Sequence, residues 1–252
     1  TPVKEVYTPK IAQVTSTTPE EDVANLMERY DMVVVPVVDD LGRLLGRITI
    51  DDVVDVIKEE AEKDYQLASG ITDDVALGSN LLQVTKARLP WLLIGLMGGL
   101  ISAFVISTQE SRLADLPKLA FFIPLIAAMG GNVGVQSSAI VVQALANKNL
   151  GITVIQRLLK EVSIGLVNGV ICSVILYSIT AFAGLEYTLA TTISLSLFLV
   201  IMFASLFGTS IPLLLDKWNI DPAVATGPFI TTANDVFGLF IYFSIGKLIF
   251  GF

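Results

Sequence analysis

YTLATTISLSLFLVIMFASLFGTSIPLLL, running from Tyr187 to Leu215, contains no Asp, Glu, Lys or Arg. A helix needs roughly 20 apolar residues to cross a bilayer, and this run is longer. In hydrocarbon a lone segment must satisfy its own backbone hydrogen bonds, which selects a helix. Working outward, four more stretches share this character, the last with Asp235 as an exception: Pro90–Ser107, Leu119–Asn147, Val162–Leu185 and Pro222–Lys247. The first is slightly short but adjoins amphipathic sequence at Leu81–Leu89. A mainly α fold follows, with a five-helix transmembrane domain over residues 89–252. Its helices are expected at about 90–107, 119–147, 162–185, 187–215 and 222–250.

Charge divides the chain at the same place. Residues 1–88 carry the whole formal charge of −8, while residues 89–252 hold seven acidic and seven basic residues. An acidic polar segment therefore precedes the membrane domain. Such a balance excludes a basic nucleic-acid footprint, so no nucleic-acid partner is expected. His is absent and Cys172 stands alone, which excludes a disulfide scaffold and argues against a thiolate or imidazole zinc site. Without a nucleophile–base pair or a His–Glu metal motif, the chain does not read as an enzyme. Lys86, Arg88, Lys148, Arg157, Lys160 and Lys217 fall on the side of the acidic segment, against Arg112 and Lys118 on the other. The positive-inside rule then makes that segment cytoplasmic and, after five crossings of the cell membrane, leaves the C-terminus outside.

Within the acidic segment, Thr18-Pro19-Glu20-Glu21 reads as a helix start, with Thr18 as N-cap and Glu21 closing a capping box. The helix is expected to reach about Tyr30 and to bury Val23, Leu26 and Met27. Met32–Val38 reads as a buried strand, Asp39-Asp40-Leu41-Gly42 as a turn and Leu44–Thr49 as the return strand. From Asp51 the chain is helical again, with Val53, Val54 and Ile57 inside. Val35-Pro36-Val37-Val38-Asp39, Gly42 and Gly46-Arg47-Ile48-Thr49-Ile50-Asp51-Asp52, in this order of elements, resemble a CBS module over about Val3–Glu60. The domains are then a CBS module at 1–60, an acidic connecting helix and juxtamembrane segment at 51–88, and the membrane domain. CBS modules normally work in pairs, and the module here reads as the second copy with the first absent. The resemblance implies that Thr49 and Asp52 contact the ribose of ATP or another adenine nucleotide. A capped helix with an acidic first turn accounts for the same two residues.

Asp55, Glu59, Glu60 and Glu62 belong to an acidic run from Asp51 to Asp74 that leads into the membrane. A solvated helix face explains such a run, as does a regulatory site for a hard divalent cation. Asp235 is different, because it is the one charged residue inside the five expected spans. A charge at bilayer depth is costly and points to function. No basic residue in another span neutralises it, so it must be protonated or hold a cation. Its setting, Gly227-Pro228-Phe229-Ile230-Thr231-Thr232-Ala233-Asn234-Asp235, offers hydroxyl and amide oxygens and a carbonyl freed by Pro228. Pro228, Thr232 and Asp235 share a helix face, as do Thr231 and Asp235. In the second span, Asn132 and Gln136 among three glycines suit a wet path or interhelical hydrogen bonds.

Gly131-Asn132-Val133-Gly134-Val135-Gln136-Ser137-Ser138 resembles the second-span signature of the MgtE family of magnesium channels. Asp221-Pro222-Ala223, Gly227-Pro228, Thr231-Thr232, Asp235 and Gly238 resemble its fifth span. Arg157 and Glu161 ahead of Asn168-Gly169 resemble the start of its third, and Arg88-Leu89-Pro90-Trp91-Leu92 its first. The resemblance implies a homodimeric Mg²⁺ channel in the lipid bilayer, its pore lined by spans two and five. It assigns Asp235 to hydrated Mg²⁺ in the pore and Asp221 to the cytoplasmic mouth. It also implies closure by cytosolic Mg²⁺ at the acidic domain, acting through a plug-like connecting helix at about Asp51–Leu67. A continuous fifth helix would place Asp221 about 21 Å from Asp235 and on the same face. Two other readings are a divalent-cation transporter coupled to H⁺ or Na⁺, and a membrane-anchored CBS nucleotide sensor.

Overall fold

The β-branched run Val34–Val38 and the return run Leu44–Thr49 pair across the Asp39–Gly42 turn, where Gly42 takes a positive φ. The Asp39 carboxyl accepts from the Leu41 and Arg43 amides and so holds the turn closed. The computed structural model describes residues 2, 12–72, 75–76, 78–146, 153–225 and 227–251. Asp73 and Asp74 of the acidic run, Lys148, and most of the first part of the CBS-like stretch lie outside the described residues. The chain divides into two units, Thr1–Tyr65 and Gln66–Phe252.

In the first unit β1 (Val14–Thr15) pairs parallel with β2 (Val34–Val38), which pairs antiparallel with β3 (Leu44–Thr49). Helices α1 (Glu20–Arg29) and α2 (Ile50–Ala68) flank them in sequence. Val14, Val23, Ala24, Met27, Val35 and Val53 form the core. This is the small α/β module expected, with two corrections. The N-cap of α1 is Pro19 without a side-chain cap, because the Thr18 hydroxyl instead accepts from the Thr15 amide. Val54 and Ile57 are 54% and 50% exposed, since the stripe of α2 that reaches the core carries only Val53.

The second unit is helical: α3 (Leu81–Ser107), α4 (Glu110–Asp115), α5 (Ile123–Ala146), α6 (Val154–Phe182), α7 (Tyr187–Lys217) and α8 (Pro228–Phe250). Five helical segments are long and apolar enough to span a membrane: α3, α5 with the 3₁₀ turn before it, α6, α7 and α8. Three boundaries differ from expectation. α3 begins at Leu81, where Asn80 caps it by accepting from the Gln83 amide. α6 begins at Val154 behind a Thr153–Gln156 capping box and so draws Arg157, Lys160 and Glu161 into the helix. The expected fifth helix is broken, with a 3₁₀ turn at Pro222–Ala225 and α8 starting only at Pro228.

α7 is the central helix, packed by α5, α6 and α8, while α3 packs on α8. Ile126, Ile193, Leu197, Val200, Ile201 and Leu239 fill the core, and the buried Tyr242 hydroxyl donates to the Leu119 carbonyl at 2.9 Å. In lipid, close backbone approach replaces hydrophobic drive, so small residues sit at the crossings. Gly208 of α7 lies on the Gly134 carbonyl of α5, and Gly134 also receives Asn234 and Ile230 of α8. A methyl at Gly134 would meet the Asn234 amide and Ile230 Cγ2. Gly134→Ala should therefore lower stability by about 1–3 kcal/mol, as overpacking does. Thermal unfolding in detergent checks this, with Gly95→Ala as the unaffected control because open space surrounds Gly95.

Candidate cation site

Asp235 lies seven residues into α8, about 11 Å along its axis at 1.5 Å per residue. A helix of 23 residues spans about 35 Å, so the carboxyl sits within the depth of the hydrocarbon. It is half-buried. Thr231 and Asp235 both lie against Gly131 of α5, with Asp235 Oδ1 3.7 Å from where a Cβ would stand. The tighter of these contacts is with the Thr231 methyl, at 3.1 Å, so glycine at 131 makes room for Thr231. On the same helix Asn132 and Gln136 are exposed and one turn apart, which sets them along one face. The structure thus places the carboxyl against Gly131, on a helix that also carries the exposed Asn132 and Gln136.

The remaining residues of the α8 motif take separate roles. Thr232 turns to α3, its methyl filling the space over Gly98. The Thr231 hydroxyl donates to the Gly227 and Pro228 carbonyls at 2.9 and 3.1 Å, so the Pro228 carbonyl is engaged within the helix. Pro228 occupies the first turn, where a missing N–H costs nothing, and leaves no kink. Asn234 is 1% exposed and packs against Gly130 and Gly134, turned into the protomer and away from an open face. Its Oδ1 and Nδ2 have no hydrogen-bond partner among the described residues.

Asp221 is exposed, and its Oδ1 accepts from the Ala223 amide at 2.8 Å, capping the 3₁₀ turn. Gly227 separates that turn from α8 with φ +55°, a conformation L side chains avoid. The single-helix geometry relating Asp221 to Asp235 therefore does not hold. A methyl on Gly227 would also strike the Ala68 carbonyl at the end of α2, and Gly70 lies against Pro228 and Trp91. The last turn of α2 thus abuts the start of α8. Asp55, Glu59 and Glu62 are exposed on α2 and Glu60 is half-buried. No group of three or more acidic, His or Cys side chains able to hold a metal occurs among the described residues.

Thr49 and Asp52 satisfy each other: the Thr49 hydroxyl and amide donate to Asp52 Oδ2 at 2.7 and 3.0 Å. That is the geometry of a capped helix start. The bond from the Thr49 amide, and then its hydroxyl, hold the Asp52 carboxyl below its ordinary range. Such a group contributes its stability above the unfolded carboxylate pKa of about 3.9 and loses it as pH falls through the lowered folded value. Asp52→Asn should flatten the acid side of the unfolding profile below about pH 4. Hydrogen exchange at the first turn of α2, followed between neutral and acid pH, reads the effect.

Sequence reasoning missed Glu161 as a buried site, placing it one residue before the third span. In α6 it is 3% exposed, and its Oε1 accepts from Ser137 of α5 at 2.6 Å and Ser205 of α7 at 2.8 Å. Arg157 Nη2 stands 4.0 Å from the other oxygen, Oε2. The Thr153-x-x-Gln156 box was the available signal, since it starts the helix two turns before Glu161.

Five apolar helices, a carboxyl at bilayer depth and an N-terminal CBS-type module define a multi-pass membrane protein with a regulatory-type domain. Residues 123–245 match the MgtE model, described as a divalent cation transporter, and residues 3–59 match the CBS domain. Over 227 residues the chain is 38% identical to the Magnesium transporter MgtE of Bacillus subtilis, covering 90% of this chain and 50% of that protein. It is 36% identical over 252 residues to that of Thermus thermophilus, covering 99% and 56%. It is 40% identical over 230 residues to that of Enterococcus faecalis, covering 91% and 51%. The chain carries an MgtE-family domain together with a CBS domain. It spans about half the length of these curated relatives.

Proposed function

We propose that this chain carries Mg²⁺ across the cell membrane as the pore-forming part of a homodimeric channel. The observation that carries the reading is the half-buried Asp235 against Gly131 of α5, a helix on which Asn132 and Gln136 are exposed. A carboxyl that is neither fully enclosed nor paired with a basic side chain is costly to leave facing lipid. A second copy across a two-fold axis removes that exposure, and two carboxylates balance one divalent ion. Mg²⁺ keeps much of its water and binds through few carboxylates, which suits a site of two acids and neutral carboxamides. Relatives at 36–40% identity are named magnesium transporters, which favours Mg²⁺ as the substrate. The acidic segment is cytoplasmic in this reading, the C-terminus is outside, and Asp221 lies at the inner mouth.

Asp235→Asn keeps size and removes the charge. At about 3 kcal/mol for a charge at this depth, and tenfold per 1.4 kcal/mol, Mg²⁺ current should fall by about a hundredfold with assembly retained. Bilayer recording of purified protein, with size checked by light scattering, measures both. An assembled variant with undiminished Mg²⁺ current rules the pore role out. Flux that requires a H⁺ or Na⁺ gradient identifies a coupled transporter instead.

Closure by cytosolic Mg²⁺ is the second part of the proposal. Within the second unit Ala68, the last residue of α2, meets Gly227 and Gly70 meets Pro228, which supports a link from the connecting segment to α8. Millimolar Mg²⁺ should then protect α2 from proteolysis, and joint neutralisation of Asp55, Glu59, Glu60 and Glu62 should remove the protection and raise leak current. Digestion that is indifferent to Mg²⁺ counts against the sensor.

A further inference from the structure

Glu161 is a buried carboxyl that the proposed ion path does not use. It is placed where three membrane helices meet. A single carboxyl oxygen on α6 takes hydrogen bonds from Ser137 of α5 and Ser205 of α7. With 3% exposure, the carboxyl has little water to replace either bond. The ion pair with Arg157 is looser, at 4.0 Å, and lies within α6, so it does not link helices. The two serine bonds do.

Their position on α5 gives the link its consequence. Ser137 directly follows Gln136 and lies six residues beyond Gly131, which puts it about 120° around the helix from the face that meets Thr231 and Asp235. α5 is thus held on one side by the glycine contact to α8 and on another by the serine bond to Glu161. Gly130, Gly134 and Gly208 let neighbouring groups approach α5 closely, which sets distance, and the serine bond to Glu161 adds a directional restraint. With side-chain tips about 5–6 Å from the axis, a rotation of about 10° moves them by about 1 Å. That exceeds the difference of a few tenths of an ångström between Mg²⁺–oxygen and Ca²⁺–oxygen distances.

We propose that Glu161 is a positioning residue for ion discrimination. By tying Ser137 to Ser205 it fixes the rotation of α5, and with it the direction in which the exposed Asn132 and Gln136 of that helix point. The inference rests on the Mg²⁺ reading above and adds to it a determinant remote from the ion.

The test is paired Mg²⁺ and Ca²⁺ flux into liposomes holding the full chain. The variants are Glu161→Ala, Glu161→Gln, Ser137→Ala and, as the pore control, Asp235→Asn. Glu161→Ala should lower the Mg²⁺:Ca²⁺ flux ratio by about tenfold, the worth of a buried hydrogen bond or two. Glu161→Gln should restore the ratio to within about twofold, because its amide oxygen still accepts from both serines. Ser137→Ala cuts only the α5 arm and should also lower the ratio, which decides the matter if Glu161→Ala does not assemble. A purely structural role reduces both fluxes together, and an unchanged ratio in assembled Glu161→Ala or Ser137→Ala overturns the proposal. A Gln variant as unselective as the Ala variant also overturns it, by assigning the effect to charge. Should the unaltered chain carry no Mg²⁺, the functional reading falls and the inference with it. Mg²⁺ flux that Asp235→Asn removes, with a ratio indifferent to Glu161, overturns the inference alone.

Discussion

A carboxyl group about 11 Å inside a membrane-spanning helix imposes conditions on everything packed around it. Hydrocarbon offers it neither water nor counter-charge, so neighbouring helices must come close enough to supply polar surface. At Asp235 this closeness comes from Gly131, which lets the α8 side chains lie on the α5 backbone. The same need recurs along α5, where Gly130 and Gly134 admit α8, and Gly134 also meets Gly208 of α7. The central helices thus exchange side-chain volume for backbone contact, and the bulky apolar residues are left to face lipid or fill the core at Ile126, Ile193 and Leu197.

Polar side chains in these helices divide by how they are satisfied. Several serines and threonines bond back to the carbonyl four residues earlier, as Ser196, Thr192 and Ser244 do. Such bonds hide a hydroxyl at small cost and link nothing. Glu161 binds differently, gathering hydroxyls from two other helices onto one oxygen. Asn132 and Gln136 remain outward. These three modes separate concealment, connection and presentation of a polar group.

The break before α8 has a comparable logic. Pro222 and Pro228 both favour helical starts, and Gly227 between them takes a backbone conformation that ends one and permits the other. The resulting corner receives the Ala68 carbonyl and stands beside Gly70. A straight helix through residues 222–250 would have no such seat for the end of α2.

Absence of charge over Tyr187–Leu215 and its four counterparts determined the five spans, because hydrocarbon tolerates few alternatives to an apolar helix. The continuous β-branched run Met32–Val38 and the Asp39–Gly42 turn likewise determined the strands of the CBS module, and the charge at Asp235 marked the candidate site. Which way each polar residue of the site turns was decided by packing. As donors of neutral oxygen, Thr231, Thr232 and Asn234 read alike beside Asp235 in the sequence. The tertiary structure sends one to Gly131, one to Gly98 and one inside. Glu161 was hidden for a related reason. A charged residue at the edge of an apolar run can lie in water or within the bundle, and only the three-helix junction with Ser137 and Ser205 determines which. Composition reports what a segment can be buried in, whereas the direction of each side chain depends on neighbours far along the chain.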